Sequence, residues 1–142
     1  MLGIQSLWRR RQRGASLVEL SLVLFILLML MAGVIDFGRA FNSYIVITNA
    51  SREGARYASR FPGHEEGIRR AAKGEARESS VLLEDDDIII EQGDSLDLGE
   101  PITVTVEYEV STIIADIADF TKIPMRARTT MTIFGLENRP TG

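Results

Sequence analysis

The stretch ASLVELSLVLFILLMLMAGVI, residues 15–35, decides how the chain is organised. A helix needs about 20 mainly apolar residues to cross about 30 Å of hydrocarbon, and this stretch has that length. Between Leu20 and Ile35 the only polar side chain is that of Ser21. An ordinary secretory signal has a shorter apolar core and a small-residue cleavage site, and nothing after Leu30 forms such a site. The sequence therefore predicts one membrane-spanning helix.

The charges on the two sides of this stretch differ in sign. Four of the 16 Lys and Arg residues precede Gly14 and all 20 acids follow it, so residues 15–142 carry 12 basic against 20 acidic side chains, a net charge of −8. Basic flanks stay in the cytoplasm, so we expect a cytoplasmic N-terminus with residues 36–142 outside. An acidic body repels phosphate backbones, which argues against a nucleic-acid partner. The absence of cysteine excludes disulfides and thiol chemistry.

Glu19 is an acid in the first turns of the apolar segment. A carboxylate costs about 2.5–3.5 kcal/mol at the centre of a spanning helix and less near the interface. Glu19 lies about 6 Å along the axis from Ala15, so one explanation is an interfacial acid that pairs with Arg13 or a lipid amine. The other explanation requires a cut between Gly14 and Ala15, because the new α-amino group would be a ready partner for Glu19.

A basic leader, a glycine, a glutamate at the fifth mature position and an apolar helix together resemble the type IV pilin signal. The resemblance implies that residues 1–14 are a leader which a prepilin peptidase removes after Gly14. Ala15 then becomes the mature N-terminus. Glu19 is expected to help match the subunit to a growing helical bundle.

The helical pattern continues beyond the membrane segment. No proline interrupts it between Gly14 and the Pro62–Gly63 breaker, which predicts one helix of about 45 residues with 36–61 as its outer continuation. We expect this outer half to pack on the globular part, because residues at spacings of three and four form a partly apolar stripe. The stripe comprises Phe37, Phe41, Tyr44, Ile45, Thr48 and Ser51 or Arg52. Glycines in the helix indicate either local bends or close approach of another helix, and they are Gly33, Gly38 and Gly54.

Two motifs extend the resemblance. GVIDFGRAF (33–41) and NASREGARYA (49–58) are similar to the TadE-like family of minor pseudopilins from tight-adherence (Flp) pilus systems, with Asp36 where glutamate is common. The resemblance implies a non-enzymatic subunit in the bacterial inner membrane that is needed to assemble an adhesive pilus. Its implied partners are the prepilin peptidase, other pseudopilins, the major pilin and membrane lipid. Whether the subunit enters the filament, caps it or stays in the membrane is left open.

Charged residues of the two motifs are candidate intersubunit contacts. They are Asp36, Arg39, Arg52, Glu53 and Arg56. The last three form a close cluster in sequence, but an exposed helical ion pair contributes only about 0.3–0.5 kcal/mol. A solvated helix face is therefore the alternative interpretation.

Residues 64–142 predict an extracytoplasmic α+β domain. A helical pattern covers residues 64–80, and period-two alternation predicts antiparallel strands at Ile88–Ile90, Ile102–Val110 and Met125–Phe134. Ser111–Phe120 predicts a short helix or loop. The long helix should cover one face of this small sheet, an architecture that pilin-like subunits have.

Catalytic and metal-binding patterns are weak in this sequence, so we expect no enzyme activity, cofactor or metal. His64, the only histidine, has no nucleophile motif or zinc-ligand spacing around it, which favours a solvated loop residue. The acidic run Glu84–Asp87 offers oxygens for a hard cation but lacks the spacing of a calcium loop. The alternative function is an unprocessed single-pass anchor whose external domain binds another envelope protein.

Overall fold

The computed structural model describes the backbone of residues 4–79, 81–93, 95–113 and 122–135, with side chains from residue 16 onward. Within these residues two helices precede three strands, in the order αα βββ. The elements are α1 (Ile4–Arg60), α2 (Glu65–Glu78), β1 (Ile88–Gln92), β2 (Pro101–Val110) and β3 (Ile123–Thr132). This arrangement confirms the predicted α+β class, with one long N-terminal helix and a small antiparallel sheet.

α1 runs without interruption through all four of its glycines, which are Gly14, Gly33, Gly38 and Gly54. It ends at Arg60, immediately before the predicted breaker, where Gly63 adopts a φ of 84° that a side chain would disfavour. α2 then returns along α1 and packs against it. The long helix predicted from the sequence is therefore present, and it includes the segment before Gly14.

The sheet has the order β1-β2-β3, and both pairs are antiparallel. Ile90 pairs with Val104 and Val104 pairs with Thr129, so β2 is the central strand. β3 begins at Ile123, two residues before the predicted start, because Ile123 continues the ladder opposite Val110. Most of the predicted segment 111–120 lies outside the described residues.

The core lies between the inner face of the sheet and the two helices. Alternate residues of β2 point into it, where Ile102, Val104 and Val106 are fully buried. The helices present mainly small residues to these side chains, so their backbones can approach closely. The fully buried helix residues in this layer include Ile47, Ala50, Ala55, Ala58, Ile68, Ala72 and Ala76. Burying one Val or Ile side chain contributes about 1.5–3 kcal/mol.

Polar contacts fix α1 against the sheet as well. The hydroxyls of Ser51 and Thr129 lie 2.8 Å apart, which joins the helix to β3 inside the packed layer. At the outer end of α1, the Phe134 amide donates to the Ser59 carbonyl at 3.1 Å. The end of α1 is therefore held by the segment that follows β3.

The face of α1 that packs on the domain differs from the predicted stripe. Phe37, Phe41 and Tyr44 are 73%, 58% and 50% exposed, whereas Val46 and Ile47 are buried. The expectation that the outer half of the helix packs on the domain is confirmed. Of the predicted stripe, Ser51 joins the contact, but the three aromatic residues do not. Small residues allow closer packing than aromatic rings do, which is why the alanine-rich side of the helix faces the sheet.

Candidate assembly surface of the long helix

The apolar part of α1 is fully accessible in the isolated chain. The helix from Ser16 to Arg60 contains a window with a mean hydropathy of 2.7, none of which is buried. Ser21 does not leave an unsatisfied hydroxyl in this region, because its Oγ donates to the Leu17 carbonyl at 2.8 Å. By length and composition α1 can therefore span a membrane once, which fits a single-pass membrane protein.

Gly14, Ala15 and Glu19 all lie within this helix. Glu19 is exposed, and it makes no hydrogen bond or ion pair with any residue whose side chain is described. Its carboxylate is thus accessible to a group outside the described part of the chain. The cut after Gly14 and the role of Glu19 in assembly stay predictions.

Asp36 occupies a different position from the other charged candidates. It is only 6% exposed, and its Oδ1 accepts a hydrogen bond from the Ile113 amide at 2.8 Å. The carboxylate therefore ties the segment after β2 to α1, where the apolar segment ends. Helical spacing could have indicated this, because Asp36 lies 11 residues before Ile47 and 14 before Ala50, which places all three on one face of the helix.

The cluster predicted from Arg52, Glu53 and Arg56 is only partly assembled. Arg56 Nε donates to Glu53 Oε2 at 2.9 Å, and this hydrogen bond lowers the pKa of Glu53 below its usual value. Arg52 is exposed and does not join the pair. Arg39 is also exposed, and neither of these two arginines makes an ion pair with the described residues. Both guanidinium groups are free to meet an acid from outside the described chain.

Between the membrane segment and Arg52 lies the surface that we call the aromatic stripe, formed by Phe37, Phe41 and Tyr44. The Phe37 and Phe41 rings are 6.3 Å apart at an interplanar angle of 13°. Gly38 lies beside them, and a Cβ added there would meet no other atom within 4 Å. The described fold therefore does not need a glycine at this position, although glycine costs a helix about 1 kcal/mol relative to alanine.

The remaining candidates for chemistry are engaged in structural contacts. His64 is not freely solvated as predicted, because its Nδ1 lies 2.9 Å from the Tyr57 hydroxyl and its side chain is half-buried. In the acidic run, Lys73 pairs with Asp85 at 2.8 Å and lowers the pKa of that carboxyl through their hydrogen bond. The Asp87 carboxylate accepts a hydrogen bond from the Glu84 amide at 2.7 Å. Within the described ranges no three His, Cys, Asp or Glu residues cluster as metal ligands.

Comparison with known proteins supports the sequence resemblance. The model of the family described as TadE-like protein matches residues 14–56, from Gly14 to Arg56. This match confirms the resemblance to the TadE-like family and relates the chain to proteins associated with tight-adherence pili, a family not known for enzymes. The searches of curated proteins and of solved structures gave no match. The matched segment includes Glu19, the first sequence motif, residues 49–56 of the second motif and the aromatic stripe.

Proposed function

We propose that this chain is a minor pseudopilin that acts without enzymatic activity in assembling an adhesive tight-adherence pilus. The observation that carries the proposal is the family match, which begins at Gly14 and covers the glycine–glutamate pair. The accessible apolar helix and the free carboxylate of Glu19 support it, because an assembling subunit must present both to its neighbours. Prepilin peptidase, other pseudopilins, the major pilin and membrane lipid are the proposed partners.

The proposed topology follows from the charges. The arginine-rich leader lies in the cytoplasm, residues 15–35 span the inner membrane of a bacterium, and the packed domain lies outside. Asp36 then lies at the outward-facing surface of the inner membrane, because it is the first charged residue after the apolar stretch and it contacts the domain. The subunit reaches the pilus machinery in this orientation.

Processing after Gly14 is the first test. We expect the mature chain to begin at Ala15, because glycine places the smallest side chain next to the scissile bond. Gly14→Val should block the cut by crowding that bond, while Gly3→Val in the same leader should leave it unchanged. Mass spectrometry of the N-terminus of the membrane-extracted protein gives the answer. Normal pili built from subunits that retain residues 1–14 would contradict the proposal.

The carboxylate of Glu19 is the second test. After processing, it lies four residues beyond a new amino group, in a medium where opposite charges attract more strongly than in bulk water. Glu19→Gln should preserve or slightly improve membrane insertion, because it removes a cost of up to about 2.5–3.5 kcal/mol. It should leave the cut after Gly14 largely intact and impair association with partner pseudopilins and pilus formation.

This variant is expressed in a strain that lacks the native chain, and membrane fractionation, the mature N-terminus and surface pili are scored together. Glu19→Asp is the matched control, since it keeps the charge and shortens the side chain by one methylene. Normal piliation with Glu19→Gln would show that the acid lies at the membrane interface without a role in assembly. An unprocessed anchor with a partner-binding domain would then be the better explanation.

A further inference from the structure

We infer that the aromatic stripe and Gly38 form a docking groove for the outer helix of a different membrane-anchored subunit, one that carries an acid opposite Arg52. This inference rests on the proposed function only in taking the partner from the same assembly.

The first step is the combination of exposed aromatic rings with an unused glycine. Phe37 and Phe41 expose most of their surface, although the opposite face of the same helix is packed on the domain. Gly38 stands next to them with open space where a Cβ would be. A glycine between large side chains makes a notch, and such a notch lets another helix approach closely. The described part of the domain does not fill it.

The second step excludes lipid as the main occupant. Phe41 and Tyr44 lie about 9 and 14 Å beyond Ile35 along the axis. The headgroup region on each side of the hydrocarbon is only about 5–8 Å deep. The helix cannot sink to cover them, because the Asp36 carboxylate holds the segment at Ile113 beside the end of the apolar stretch. The outer part of the stripe thus stands in water unless a protein covers it.

The third step concerns the direction of the partner. Glu19 lies 18 residues before Phe37, which is about five turns, so both occupy one side of the helix. The stripe therefore continues the membrane-embedded side that carries Glu19. A partner that follows this side from the membrane outward must itself be a helix anchored in the same bilayer.

The fourth step distinguishes a different subunit from a second copy. Arg52 lies 11 residues after Phe41, about three turns along the same side, and forms no ion pair with the described residues. Two copies related by a two-fold axis along the membrane normal would place Arg52 near Arg52, and this end of the interface would repel. A different helix with an apolar face and an acid at the level of Arg52 avoids this repulsion.

The test is photo-crosslinking of the full chain in cells that carry the whole assembly. A benzophenone amino acid replaces Phe41 in the stripe or, as the matched control, the exposed Arg39 about 160° around the helix. We expect the Phe41 probe to give at least ten times more adduct. Mass spectrometry should place that adduct on an apolar-faced helix, following a membrane span, of a different protein. An acidic residue should lie near its outer end.

Gly38→Ala and Gly38→Leu complete the test. A Cβ at position 38 meets nothing within 4 Å, so we expect neither substitution to lower the thermal unfolding midpoint of the full chain. The adduct from Phe41 should decrease for alanine and fall at least tenfold for leucine. The inference would be overturned by equal adduct from both probes or by no effect of Gly38→Leu. It would also be overturned by an adduct of two copies, a lipid adduct alone, or an adduct on any other kind of protein. Processing and piliation of the wild-type strain are scored separately. Absent processing with the expected adduct refutes only the proposed function, whereas normal processing and pili without the adduct refute only the docking groove.

Discussion

Gly54 and Gly38 show how differently the same residue type is used along one helix. A Cβ at Gly54 would lie 3.1 Å from Val104 Cγ1 and 3.4 Å from the Cβ of Ala72, so α1 approaches both the sheet and α2 at this point. At Gly38 the same atom would meet nothing within 4 Å. The close approach of the sheet and α2 thus explains the glycine at position 54. At position 38, only a close approach by another protein would explain the glycine.

The close contact at Gly54 gives a prediction about stability. Gly54→Leu should destabilise the folded chain by about 1–3 kcal/mol, because the new side chain overpacks the layer between helices and sheet. Gly74→Leu is the control, since Gly74 also lies in a helix but has open space around it, and this change should be neutral or slightly stabilising. Thermal unfolding of the detergent-solubilised protein compares the two. Equal midpoints for both variants would show that the close approach has no energetic consequence.

Asp36 illustrates a residue whose sequence context and tertiary position differ. Its place at the end of the apolar segment suggested a contact with a neighbouring subunit. In the fold it is buried, and its carboxylate accepts a backbone amide of its own chain. A hydrogen bond to a charged group contributes about 1.5–3 kcal/mol. Asp36 therefore stabilises the junction between helix and domain, and its contact with a neighbouring subunit stays a prediction.

At the scale of elements, the two faces of the sheet have different roles. The outer face carries ion pairs between strands, namely Arg126 with Glu107 and, at 2.7 Å, Arg128 with Glu91. These side chains are largely exposed, and such pairs contribute about 0–1 kcal/mol each. Most of the stabilisation must therefore come from the inner face, where the isoleucines and valines meet α1 and α2.

The outer half of α1 is consequently part of the domain core, and this gives a prediction for truncated chains. A fragment of residues 36–142 should be soluble and unfold cooperatively, because it keeps the helix that covers the sheet. A fragment of residues 64–142 should aggregate, because it exposes Ile102, Val104 and Val106. Circular dichroism and sedimentation of the two purified fragments provide the comparison. A soluble, cooperatively unfolding 64–142 fragment would contradict this packing.

At the scale of the whole molecule, α1 belongs to two environments at once. Residues 20–35 are apolar on all sides apart from Ser21, whereas the outer half has a small-residue face toward the domain and an aromatic face away from it. The domain reaches down α1 as far as Asp36, so no free linker separates it from the apolar segment. A chain built this way transmits the position of its apolar helical segment directly to the packed domain.

The sequence by itself determined the long helix, the apolar segment, the strands and the α+β class. These depend on local periodicity, on the length of the apolar run and on breakers such as Pro62–Gly63, all of which act between near neighbours. The glycine–glutamate spacing and the two motifs likewise indicated the family from residues that are close in sequence.

Only the tertiary structure decided which side of α1 meets the domain. Both sides carry residues at helical spacing, and hydrophobicity alone favours the aromatic side. The sheet instead selects the side of Ala50 and Gly54, because these small residues bring the backbones close enough to bury Val104 completely. Packing between distant segments also assigned Asp36 to Ile113 and left Phe37 and Phe41 exposed. The residue pattern of one helix does not determine which of its faces is buried, because the surface that packs against it is formed by segments distant in sequence.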